Sequence, residues 1–192
     1  MLRRRLGHLT RHRTPVESTE ILGARGSSSQ PQREKNMANF NLAVEKILAV
    51  EGGYSNHPQD PGGETRWGIS KRSYPDLDIK NLTKEQAIGI YRRDYWDYDW
   101  IPSQEVAEKL FDMAVNMGVQ TSNRYLQHAL RELGFALNVD GVIGGQTAAA
   151  THASNPGVLL TELRRWQIKH YLNIAGVQHP FLKGWLLQRV AP

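Results

Sequence analysis

The chain has 192 residues, 40% hydrophobic and 22% charged, enough for one compact domain or one domain with a small appendage. It holds no cysteine, which excludes disulfides and thiolate metal sites, and its apolar runs are far too short to span a bilayer. The formal charge of +5 sits in residues 1–36, with eight Lys/Arg against three Glu, whereas residues 37–192 carry sixteen of each sign; the body has no basic excess with which to hold nucleic acid.

Taken in chain order, residues 1–36 come first: Arg clusters and a Ser/Gln-rich stretch without an apolar core, hence no secretory signal. Their composition predicts a disordered or added tail, and Met37-Ala38-Asn39-Phe40 reads as the natural start of the body. Phe40, Val44, Ile47 and Leu48 recur at helical spacing, with Gly52-Gly53 as the stop. The run "TRWGIS" (65–70) is the best strand candidate, and it is short. Thr83-Lys84-Glu85-Gln86 is a capping-box pattern opening a helix that carries Ala87, Ile88, Tyr91 and Tyr95. Val106, Leu110, Met113, Ala114 and Met117 form an apolar stripe ended by Gly118. Ser122 is positioned to cap a helix bearing Leu126, Ala129, Leu130 and Leu133, ended by Gly134. Asp140-Gly141 and Gly144-Gly145 mark a tight turn, with Thr147 as cap of the helix beyond. Asn155-Pro156 opens the last long helix, with Leu160, Leu163, Trp166, Tyr171 and Ile174, ended by Gly176. The expectation is a mainly α, lysozyme-like helical fold with at most a very small β element.

Two acids stand out. Glu51 ends the first helical pattern and is followed at once by two glycines. A carboxylate at a helix C-terminus meets the negative end of the macrodipole, and apolar neighbours with Tyr54 and Trp67 add desolvation of the same sign. Both effects raise a carboxyl pKa, as a general acid near neutral pH requires, although a solvated Glu at a helix end fits the same pattern. Asp60 lies nine positions on, in Asp60-Pro61-Gly62-Gly63. It either shapes that turn or sets a second carboxylate across a cleft. Glycoside hydrolysis needs such a pair, one acid for the leaving oxygen and one carboxylate to activate water or attack the sugar carbon. Thr65 is close enough in sequence to help hold the water. His57, Asp60 and Glu64 have no recognised metal-ligand spacing, so no metal and no cofactor is expected.

The segment 91–100, "YRRDYWDYDW", packs five aromatics among charges. Aromatic faces stack on sugars, so Trp96 and Tyr98, beyond the helix end, are groove candidates together with Arg93; Tyr91 and Tyr95 continue the core stripe equally well. Tyr54, Asn56 and Trp67 are further substrate-binding candidates. Asp112 and Asn116 sit at i and i+4, off the apolar stripe of their helix, near a cleft or holding a loop.

The blocks "EGGYSNHPQDPGGETRWGIS", "LTKEQAIGIYRRDYWD" and "FDMAVNMGVQTSNRYLQHAL" resemble the N-acetylmuramidases with a Glu-Gly-Gly-Tyr motif, glycoside hydrolase family 108, which include phage endolysins and bacterial secretion muramidases. The likeness spans about residues 38–190. It implies that Glu51 is the catalytic acid and that Glu51, Asp60 and Thr65 match the Glu–Asp–Thr order of phage-type lysozymes, with an Asp-to-Thr gap one residue shorter here. Asp112 and Asn116 match the family's D-x-A-V-N segment. Residues 119–192 resemble the peptidoglycan-binding helical region that accompanies a catalytic region, here 37–118, and are expected to pack on it in one globule. The implied function is cleavage of the β-1,4 bond between N-acetylmuramic acid and N-acetylglucosamine by a monomer. A lytic transglycosylase using Glu51 alone and a non-catalytic wall-binding scaffold are the rivals. Synthesis in the cytoplasm, passage aided by a holin or secretion component, and action at the cell wall complete the expectation.

Overall fold

The computed structural model describes residues 37–50, 53–56 and 63–175; the tail 1–36, Glu51, Gly52, the segment 57–62 with His57 and Asp60, and Gly176 lie outside them. Six α-helices follow in order: α1 (Phe40–Val50), α2 (Lys84–Asp94), α3 (Gln104–Met117), α4 (Val119–Glu132), α5 (Gly145–Ala153) and α6 (Pro156–Ala175). Between α1 and α2 lie two short strands, β1 (Thr65–Arg66) and β2 (Ile69–Ser70), and one 3₁₀ turn, Ile79–Asn81. The fold is mainly α, as the periodicity predicts.

The helix ends follow local chemistry. Asn39 opens α1, its Oδ1 accepting from the backbone N–H of Asn41 at 2.9 Å. The capping box of α2 is complete: Thr83 accepts from the Gln86 N–H, and Gln86 accepts from the Thr83 N–H. Asn155 caps α6 through bonds from the N–H groups of Gly157 and Val158. Two expected caps are corrected. Gly118, at φ +87°, ends α3 and begins α4 as one residue, so Ser122 lies inside α4, buried, and gives its hydroxyl proton to the Leu110 carbonyl at 2.8 Å. Thr147 likewise lies inside α5, which starts at Gly145 behind Gly144.

The core is built around α3. Helices α1, α4 and α6 all pack on it, and α4 also packs on α6 and α5. Phe111 is its aromatic centre, with ring centroids 5.3 Å from Trp96, 5.9 Å from Phe40 and 6.1 Å from Tyr91; such edge-to-face pairs add to plain area burial. Helix α1 meets α3 through Asn39–Gln104, Phe40–Phe111 and Lys46–Glu108. Leu159 and Val106 line one apolar cavity of about 280 Å³, and further on Gln167 meets Lys109 and Asp112, so α6 runs with α3.

The β element is a hairpin. Thr65 pairs with Ser70 and Arg66 with Ile69, around Trp67-Gly68, both left-handed at φ +53° and +76°. That pair of positive φ values is the turn that matches strand twist. A bulky aromatic with positive φ is an outlier, and it is held from both sides. The Trp67 indole N–H donates to the Leu82 carbonyl at 3.2 Å, and its own carbonyl accepts from the Tyr91 hydroxyl at 3.0 Å. A third segment joins the sheet where Ser55 and Thr65 exchange two backbone bonds of 2.8 Å.

Candidate functional site

Glu51 and Asp60 lie outside the described residues, so the site is built from what stands on either side of them. Lys46 contacts Glu108 at 2.6 Å. From Lys46, α1 advances four residues to its last position, Val50, a rise of about 6 Å. From Glu108, the same four residues along α3 reach Asp112, on the same face of that helix. Val50, the residue before Glu51 in sequence, and Asp112 each lie one turn beyond the Lys46–Glu108 contact on their own helix. The hairpin reaches α3 as well, because Tyr91 holds the Trp67 carbonyl with its hydroxyl and packs its ring on Phe111, the neighbour of Asp112 in sequence.

Asp112 is fully engaged. Its Oδ1 accepts from Asn116 Nδ2 at 3.0 Å, and its Oδ2 accepts from Gln167 Nε2 at 2.9 Å. Asn116 also donates to the Asp112 carbonyl at 2.6 Å. The pair is therefore a fixed polar unit on α3, with Asp112 bonded across to α6.

On the hairpin side, Thr65 gives its hydroxyl proton to the Gly63 carbonyl at 3.2 Å. Its oxygen keeps free lone pairs and so acts toward a water as an acceptor. Tyr54 is 44% exposed and donates to Glu64 Oε1 at 2.9 Å; that bond to Glu64 is the main reason its hydroxyl titrates above the ordinary value. Asn56 is exposed beside it. The Ser55–Thr65 pairing and the Tyr54–Glu64 bond together fasten both ends of the segment that contains Asp60.

Three aromatic or basic candidates stand elsewhere. Trp96 and Tyr98, expected on a groove, are corrected to core residues with 6% and 1% exposure. Trp96 packs against Phe40, Tyr98 and Phe111, so neither ring has a face open to a sugar. Burial pushes the Tyr98 hydroxyl up to about 12. Arg93 is exposed at the end of α2, bound two-pronged by Asp94 at 2.6 Å, and Asp94 also accepts from the Tyr74 hydroxyl at 2.8 Å. Sequence reasoning weighed Glu64 only as a metal ligand, and missed Lys109 and Gln167. The last had a visible signal: Leu159, Leu163, Gln167 and Tyr171 recur every four residues, so a polar amide interrupts an apolar stripe. Among the described residues, no group of acids and histidines is arranged to hold a metal ion.

A helical body with one small hairpin does not by itself define a chemistry; the comparisons supply the class. The glycosyl hydrolase 108 family matches residues 44–118, and the family described as a predicted peptidoglycan domain matches residues 121–190. The solved structure of SagA from Brucella abortus is 31% identical, with a TM-score of 0.66 over 79% of this chain and 88% of that one. No curated protein matches. The chain belongs to glycosyl hydrolase family 108. It is a glycoside hydrolase acting on peptidoglycan, and so on the cell wall.

Proposed function

We propose that the enzyme is an N-acetylmuramidase that cuts the β-1,4 bond between N-acetylmuramic acid and N-acetylglucosamine, with Glu51 as general acid. One observation carries the reading: Val50 of α1, next to Glu51 in sequence, lies one turn beyond the Lys46–Glu108 contact with α3, the helix that bears the fixed Asp112–Asn116 pair and on which the Thr65 hairpin rests through Tyr91. An acid that follows a helix C-terminus is disfavoured in its charged form by the macrodipole, which keeps a proton available for transfer. Glu51 gives that proton to the glycosidic oxygen as the bond to the sugar carbon breaks. Asp60, in the segment fastened by Tyr54–Glu64 and Ser55–Thr65, stabilises the positive charge at that carbon or takes the proton of the incoming water. Thr65 accepts a hydrogen bond from that water. Tyr54, Asn56, Trp67 and Arg93 are proposed as glycan contacts; Trp96 and Tyr98, buried against Phe40, Phe111 and Ser122, are not.

The roles of residues 37–118 as the catalytic region and 119–192 as a peptidoglycan-binding region packed on it belong to the same proposal, as does a monomeric enzyme that reaches the wall with the help of a holin or secretion component. Glu51→Gln is expected to abolish clearing of purified sacculi with circular dichroism unchanged; clearing at wild-type rate would refute the assignment.

A further inference from the structure

Between α3 and α6 lies a buried polar cluster that a helix interface does not need for packing. Lys109 and Asp112 have side chains only 11% and 16% exposed, and their charged ends are 3.9 Å apart. Gln167 is 0% exposed and stands between them. Its Oε1 accepts from Lys109 Nζ at 3.2 Å, while its Nε2 donates to Asp112 Oδ2 at 2.9 Å and reaches the Tyr171 hydroxyl at 3.4 Å. An amide is the one neutral group that meets a cation with its oxygen and a carboxylate with its nitrogen at once. Apolar residues of similar volume would fill this seam without the desolvation that buried charges incur. A polar group kept at such a cost one turn from the Lys46–Glu108 contact between α1 and α3 points to a role in positioning.

We propose that Gln167 is a positioning residue of the catalytic centre: it holds Lys109 and Asp112 in register within one turn of Glu108, where α3 meets α1, so the peptidoglycan-domain region takes part in turnover and not only in wall binding. The inference rests on the reading that the catalytic acid follows α1. Gln167 does not touch the reacting bond; it fixes what lies around it, and a displacement of about 1 Å at such a site lowers turnover about 10²-fold.

The test uses the full chain, with Gln167→Leu, which removes both bonds, and Gln167→Glu, which keeps the volume and the bond from Lys109 but sets a carboxylate against Asp112. Surface Arg165→Gln is the control. Release of reducing ends from solubilised peptidoglycan strands is followed against strand concentration and pH, alongside sedimentation with intact sacculi. The proposal expects both variants to bind sacculi like wild type and to lose at least tenfold in kcat with KM within twofold. In Gln167→Glu, activity should return in part as acid removes the repulsion between the two carboxylates. If the Leu variant does not fold, the Glu variant decides. Wild-type kcat and pH profile in a folded Glu variant, or a loss that follows sacculus binding instead of kcat, overturns it. Reducing ends are counted whichever bond is cut, so a wrong bond assignment appears in product masses and a wrong acid in Glu51→Gln activity, both separate from this result.

Discussion

Thr65 shows how much one side chain can be asked to do. Its backbone is fixed from both sides, by Ser55 and by Ser70, so its hydroxyl can be removed without moving the strand. Thr65→Val keeps the shape and deletes the acceptor. In the proposed mechanism this lowers kcat about 10- to 100-fold, the range for losing one aimed hydrogen bond, while Thr65→Ser retains most of the activity; steady-state rates on solubilised peptidoglycan check it. The residue scale is also where the sequence was most and least informative. The unusual order Glu51, Gly52, Gly53, Tyr54 singles out the proposed acid, because few structural needs explain it. Trp96 and Tyr98 were not legible as core residues, since a position past a helix end looks exposed until Phe111 is known to lie beneath it.

At the scale of elements, apolar periodicity located five of the six described helices and turn chemistry the sixth, α5; their first residues were harder. Ser122 and Thr147 have capping chemistry, but Gly118 and Gly144-Gly145 turn the chain sooner, and a buried hydroxyl inside a helix reads the same in sequence as a cap outside one. The α4–α5 connection was clearer. Gly141 has φ +82°, and a Cβ there would stand 2.8 Å from Gln120 Cγ and 3.0 Å from the Gln120 carbonyl oxygen. The turn is wrapped on α4 by Gln127, which bonds Asp140, Gly141 and Val142, and the Val142 N–H chiefly holds Asp140 below the usual carboxylate range. Gly141→Ala combines strain with a clash, so a loss of about 1–3 kcal/mol is expected, read as a lower denaturant midpoint at an unchanged slope.

For the whole molecule, the packing of α1 and α6 on α3 is what assembles the proposed site, and no local pattern encodes it. It depends on pairs such as Lys46–Glu108 and Gln167–Asp112, distant in sequence. The seam between α4 and α6 also makes stability depend on pH. Burial holds His128, stacked 4.3 Å from Trp166, and His170, 3.0 Å from the Tyr125 hydroxyl, below the ordinary histidine value of 6.5. A depressed pKa favours the neutral ring in the fold, so this contribution is complete above about 6.5 and is lost as pH falls through the lower folded values. Asp94, lowered mainly by its bond from Arg93, and Asp140 act in the same sense below the ordinary carboxylate value of 3.8. Thermal melts should show one decline in midpoint on going from pH 7.5 to 5 and a steeper one below pH 4. Replacing His128 with Phe should flatten the first decline; an unchanged first decline would count against the histidines.

The measurement that bears most directly on the proposed chemistry is mass spectrometry of peptidoglycan digested by wild type and by Glu51→Gln. Fragments ending in reducing N-acetylmuramic acid from wild type, and none from the variant, are the predicted result. Anhydro ends, reducing N-acetylglucosamine ends, or the same fragments from both proteins would contradict it.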